Sequence, residues 1–185
     1  MNSQAQEILH PLMVLLVGGP LYAEIVGYLW HRGTEHNGWL GNAIRHRHWV
    51  HHKVDYPTQL LRRDDVIGYK SAGSWSWYLA IASAITLAFG VLPLRDAACL
   101  SVGGTLYGTF VLGALHQAFH TQDHWLKRFQ WFQTLVRRHD IHHWAAGNYG
   151  IALFFMDRLF GTLREDLPPA PEPMFPGYAS PKKSS

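Results

Sequence analysis

The chain of 185 residues has one cysteine, Cys99, so it cannot form an internal disulfide, hold an iron–sulfur cluster or build a cysteine-rich zinc site. Charge is also scarce. Asp, Glu, Lys and Arg make up 16%, against roughly 25% in an average soluble domain, which excludes a disordered, solvating chain. The formal net charge is only +3, and the basic residues lie between apolar blocks rather than in a dense stripe. Nucleic acid is therefore not an expected partner, and a membrane surface fits better. A Gly-x-Gly-x-x-Gly run and a haem-attachment motif are both missing, so any electrons that the chemistry needs are expected from a separate protein. The length suits one domain, since a second core usually needs on the order of 100 residues more. That domain is expected over 1–165, with the proline-rich stretch 166–185 as a mobile tail.

Long apolar runs are present. Residues 71–94 contain no Asp, Glu, Lys or Arg, and 97–115 contain none of these and no histidine. Each is close to the roughly 20 residues that cross a bilayer, and only Arg95-Asp96 stands between them. They predict a tight helical hairpin. An earlier run, 8–30, holds His10 and Glu24 and is interrupted by Gly18-Gly19-Pro20, so the sequence leaves open whether it spans with a kink or enters and returns. Its length and its lack of a basic leader argue against a cleaved signal peptide. Fifteen of the sixteen Lys and Arg fall within 32–70 or 127–183, which predicts a cytoplasmic location for both blocks. The expected fold is all-α: an integral, multi-pass membrane bundle with a cytoplasmic histidine-rich helical cap, in a bacterial inner membrane or the ER. The alternative is a soluble helical protein with two buried helices. Helical periodicity is also expected over 129–143, and a short interfacial amphipathic helix over 148–161.

Histidine is abundant: there are 13, as many as Asp and Glu combined. Ten of them fall into four groups: His31 and His36; His48, His51 and His52; His116 and His120; His139, His142 and His143. Two groups share the spacing His-x-x-His-His. Residues three and four apart share a helix face, so each helix can offer two or three imidazoles to an ion that no single helix could enclose. Ten imidazoles are more than double the four ligands of a tetrahedral zinc site and imply more than one ion. His124, eight residues after His116, is a secondary candidate, whereas His10 and His46 read as surface residues.

The sequence Trp30-His-Arg-Gly-Thr-Glu-His36, then His48-Trp-Val-His-His52, His116-Gln-Ala-Phe-His120 and His139-Asp-Ile-His-His143, resembles the histidine boxes of the fatty acid hydroxylase and sterol desaturase superfamily. Asn148-Tyr-Gly150 and Asp157-Arg-Leu-Phe-Gly-Thr162 resemble the segment that follows the last box. The first pair departs from the pattern, with four intervening residues where many members have three. The resemblance implies a membrane-embedded enzyme with two iron ions, zinc being a possible substitute, that uses O2 to hydroxylate or desaturate a lipid such as a sterol, fatty acyl chain or carotenoid. It also implies that the ten histidines are the metal ligands.

Imidazole ligands normally pass their other N–H to an acceptor, which makes Glu24, Asp123 and Asn148 candidates to orient them, with Asp140 and Asp157 behind. Glu35 and Asp55 read as solvated. Oxygen chemistry needs external electrons, so a ferredoxin- or cytochrome-type donor with its reductase is expected, docking on Arg62-Arg63, Lys127-Arg128 and Arg137-Arg138. Two alternatives stand beside this reading. One is a metal-dependent hydrolase built on His139-Asp140, and the other is a non-catalytic membrane zinc-binding or transport protein.

Overall fold

The apolar run near the start of the chain forms one long helix, α1 (Ala5–His36), in the computed structural model, which describes residues 3–63, 85 and 89–178. Gly18-Gly19-Pro20 does not turn it back. The stretch Val14–Gly18 is a π-helical turn, and Gly18 and Gly19 keep right-handed helical angles. Pro20 occupies the first turn of the α-helical stretch that follows, a position suited to its fixed φ. A second π turn, Trp30–His36, ends α1.

A short loop with left-handed Gly38 and Gly41 leads to α2 (Asn42–Val50), which continues as a π turn, His51–Asp55. The first limb of the predicted hairpin, 71–94, lies almost wholly outside the described residues. Its second limb is α3 (Leu94–His120), entered through extended Pro93. A 3₁₀ turn, Trp125–Arg128, precedes α4 (Gln130–Trp144), close to the predicted bounds. Among the described residues no strand occurs, only an isolated bridge between Arg63 and Thr121.

Helices α1 and α3 run parallel. His10 bonds Asp96 near one end, Gly19 meets Gly103 and Gly104, and Tyr107 bonds Glu24 further on. The crossing depends on missing side chains: a Cβ on Gly103 would lie 2.1 Å from the Leu15 carbonyl oxygen, and one on Gly19 2.6 Å from the Gly103 carbonyl carbon. Gly103→Val is therefore expected to force the helices apart, costing at least the ~1–3 kcal/mol of ordinary overpacking. Thermal unfolding in detergent measures this, and an unchanged transition would show that the pair is not closely packed in solution.

Both helices are long and apolar enough to cross a membrane. Ile8, Leu12, Leu16, Leu21, Ile25 and Leu29 on α1, and Val102, Leu106 and Phe110 on α3, are exposed. Only 28% and 22% of the two apolar windows are buried, unlike the core helix of a soluble protein. Because α1 and α3 are parallel, His31 and His36 end at the same level as His116 and His120. The last turns of α2 and α4 join them there, so four helix C-termini, the negative ends of their dipoles, converge on the histidines.

One expectation is corrected. The stretch 148–161 is helical only at α5 (Phe155–Leu159), because Asn148 and Phe154 are left-handed and the Tyr149 and Gly150 amides bond the Asp157 side chain. Part of the segment expected as a tail packs on the helices as far as Tyr178. Met174 and Phe175 are buried, and the Glu172 amide bonds the Trp144 carbonyl. The prolines that suggested disorder also lower the entropy lost on ordering, and two large apolar side chains supply the burial.

Candidate metal centre

The departure in the first histidine pair has a structural reason. On a regular α-helix, residues five apart are separated by about 140° around the axis. The π turn over Trp30–His36 restores a shared face, with the His31 and His36 rings 5.0 Å apart. Both motifs of the His-x-x-His-His type then divide. From α2, His48 and His52 point to one cluster and His51 to another, the His51 and His52 rings standing at 89°. From α4, His142 joins the first cluster and His139 the second.

The first cluster is His31, His36, His48, His52 and His142; the second is His51, His116, His120 and His139. Within each, one ring nitrogen from every member lies within 4.8 Å of all the others. His143 stands at the boundary. Its Nε2 is 3.2 Å from His139 Nε2, and its ring stacks on His52 at 4.1 Å. All ten predicted residues thus come together, while His124 stays outside and accepts the Leu126 amide as a helix cap.

Five rings have their protons fixed by backbone carbonyls, which can only accept. Nδ1 donates from His31 to Tyr149 at 2.7 Å, from His36 to Met174 at 3.0 Å and from His142 to Gly147 at 2.7 Å. In the second group His120 donates to Leu61 at 3.0 Å and His143 to Tyr56 at 3.1 Å. A neutral imidazole that donates from Nδ1 presents a lone pair at Nε2. His36 and His142 therefore face each other at 3.3 Å with two lone pairs and no proton between them. His139 Nε2, 2.9 Å from His120 and 3.2 Å from His143, has one proton at most to share between two acceptors.

A cation resolves these contacts. Two nitrogens each about 2.1 Å from one ion lie about 3.0–3.4 Å apart, the separation seen here. The buried nitrogens without a protein partner agree: both on His51, and Nδ1 on His52 and on His139. Burial first, and neighbouring imidazoles second, hold His48, His51, His52, His139, His142 and His143 well below the usual histidine pKa of 6.5. They are held neutral, the form in which an imidazole can coordinate a cation.

The acids act mostly at one remove. Glu24 accepts the Tyr107 hydroxyl at 2.9 Å and the Leu153 amide, bracing α1 against α3 and the 148–162 segment, while its expected partner His31 bonds Tyr149 instead. Asp123 is exposed, and the proton of His120 goes to Leu61. Asp140 grips Arg62 at 2.6 and 2.7 Å, which positions the adjacent Leu61 carbonyl and turns the carboxylate away from the ligand set a hydrolase would need. Asn148 bonds Arg138 and Arg164 backbone groups beside Gly147. Asp157 accepts from the Tyr149 and Gly150 amides and the Thr162 hydroxyl, each at 2.8 Å, and so holds the Tyr149 carbonyl against His31. Gly150 is required there, since a Cβ would meet the Asp157 carboxylate at 2.9 Å.

Sequence reasoning missed Glu35. It is 1% exposed, 3.6 Å from His48 Nδ1 and 4.0 Å from His31 Nε2, where its negative charge offsets that of a bound cation. The available signal was its place four residues after His31 and inside the first pair.

Neither a curated protein nor a solved structure matches the chain. The model for the family described as Fatty acid hydroxylase matches residues 16–162, from the first π turn to the Thr162 that bonds Asp157, and the chain belongs to that family.

Proposed function

We propose that the protein is a membrane-embedded di-iron oxygenase that uses O2 to hydroxylate or desaturate a C–H bond of a lipid: a sterol, a fatty acyl chain or a carotenoid. His31, His36, His48, His52 and His142 hold one ion, and His51, His116, His120 and His139 hold the other with His143. The observation that carries this reading is the pair of nitrogen clusters with too few protons for their contacts: none between His36 and His142, and one at most for His139 to share between His120 and His143. Two iron ions, when bound, supply the reductive activation of dioxygen that oxidation of an unactivated C–H bond requires. The chain's own part is placement. Carbonyls orient the rings, burial keeps water from the clusters, and the outward apolar faces of α1 and α3 lie in the bilayer, from which a lipid reaches the site.

The concentration of basic residues near the histidines supports a cytoplasmic site in this reading, with electrons supplied by a ferredoxin- or cytochrome-type donor and its reductase. Arg62 and Arg138 are already paired with Asp140 and Glu165. Arg137 pairs with Asp166 in the same way, which leaves the Lys127 and Arg128 charges to meet an acidic donor, with the Arg128 guanidinium held over the rings of Trp125 and Phe129.

The test is metal analysis of detergent-purified protein from iron-supplemented cells, followed by lipid oxidation with O2 and a reductant. About two irons per chain with O2-dependent product is the expected result. Zinc that resists exchange, with no turnover, would favour the binding or transport reading, and turnover without O2 the hydrolytic one.

A further inference from the structure

The first cluster has a wall that the family match does not include. Residues 172–178 lie beyond Thr162, yet the Met174 carbonyl accepts the Nδ1 proton of His36, a residue with no solvent exposure. Phe175 stacks on the His36 ring, with centroids 4.8 Å apart and planes at 20°, and reaches His52 at 5.6 Å and His48 at 6.0 Å. One aromatic side chain thus covers three of the five imidazoles. Among the described residues, none of this segment stacks on the rings of the second cluster, whose carbonyl partners come from Leu61 and Tyr56.

The segment is tied down at both ends. Glu172 pairs with Arg164, and its amide bonds the Trp144 carbonyl at the end of α4. On the other side, buried Arg45 donates from Nε to the His36 carbonyl at 2.9 Å and from Nη2 to the Pro176 carbonyl at 2.5 Å. The Arg45 guanidinium lies 5.2 Å from the Tyr178 ring, and the Tyr178 hydroxyl bonds His46 Nδ1. Arg45 therefore joins the end of α1 to the strap across the cluster. Pro173 and Pro176 flank Met174 and Phe175 and restrict the backbone that presents them.

We infer that the strap 172–178 is a built-in part of the first metal site, which fixes the His36 ring and closes the site, so that it governs how long the first ion, and not the second, is retained. The inference rests on the two-ion reading above. A hydrogen bond to the non-ligating nitrogen orients a ligand, and the apolar cover around a site controls access of water and competing ligands. Met174 and Phe175 supply one each, and both are positioning residues.

The experiment loads full-length protein with iron and follows release to a ferrous chelator, in wild type, Phe175→Ala, Arg45→Gln and, as control, Leu167→Ala at an exposed position. One of two ions should leave on the order of 10-fold faster in the first two variants, with the other ion and the control at wild-type rates. Phe175→Leu, which keeps apolar cover, should release more slowly than Phe175→Ala. Thermal unfolding of each metal-free variant reports the fold separately; Phe175→Ala and Phe175→Leu carry the test if Arg45→Gln does not fold. Two ions released at unchanged rates, or both accelerated together, would overturn the strap while leaving the metal centre intact. A wild type that binds no metal would instead remove the oxygenase reading and the strap with it.

Discussion

Replacing His142 with alanine should lower the metal content from about two ions per chain to about one, and His51→Ala should do the same through the other cluster. Each ring belongs to a different nitrogen set, so the doubly substituted protein should hold almost no metal. Lipid oxidation should fall to background in both single variants, because the reaction proposed needs both ions, while membrane insertion stays intact. His51 gives a second, opposite readout. Both of its ring nitrogens are buried without a protein partner, and each such group costs about 1–3 kcal/mol unless an ion takes it up. In metal-free protein this gain offsets part of the cavity left by the ring, so thermal stability should change little. In loaded protein, the stabilisation that metal confers by binding the folded state alone should shrink sharply. Metal analysis and thermal unfolding, each with and without chelator, check both halves. Full loading and normal turnover in both variants would remove these residues from the ligand set.

Much of this site was legible because its side chains are rare and clustered. Ten histidines at helical spacings identify themselves, and the structure brings all ten to one end of the helices. What supports them was far less visible. The sequence suggested carboxylates as partners for the ring N–H groups, yet five rings use the carbonyls of Tyr149, Met174, Gly147, Leu61 and Tyr56. Every residue has a carbonyl, so composition cannot say which ones a fold will aim inward. Asp157, Asn148 and Asp140 act by holding the chain that carries those carbonyls, Asp157 gripping Tyr149 from 8 residues away and Asp140 gripping Arg62, beside Leu61, from 78. The π turn at Trp30–His36 was legible only as an anomaly, an extra residue in the first pair, until its geometry explained it. Glu35 was misread because an acid is usually solvated, and the contacts of the strap were not visible because only tertiary structure brings a proline-rich segment to the clusters.

Acid should unfold the metal-free protein within a narrow interval below pH 6.5. His48, His51, His52, His139, His142 and His143 are all held well below 6.5 in the folded chain, chiefly by burial and then by one another. An unfolded chain takes up protons at these positions as pH falls through about 6.5, whereas the folded chain does not. The unfolded state then binds more protons, so stability rises with pH in this interval and is lost as pH drops. Each such group contributes up to about 1.4 kcal/mol per pH unit, so these six alone can contribute about 8 kcal/mol per unit. A domain stable by about 5–15 kcal/mol would exhaust that margin within roughly two pH units. Bound metal should shift the transition to lower pH, since the ligands must lose their protons to hold it and acid must displace the ion before the fold gives way. Removing one titrating ring by His143→Gln should flatten the dependence by up to about 1.4 kcal/mol per pH unit in metal-free protein, a change that a purely structural defect would not produce. Circular dichroism in detergent across pH 7.5 to 4.5, with and without chelator, measures each of these effects. A metal-free protein equally stable at pH 7 and pH 5 would mean that the imidazoles can take up protons inside the fold, and the site could not then be a closed nest of neutral ligands.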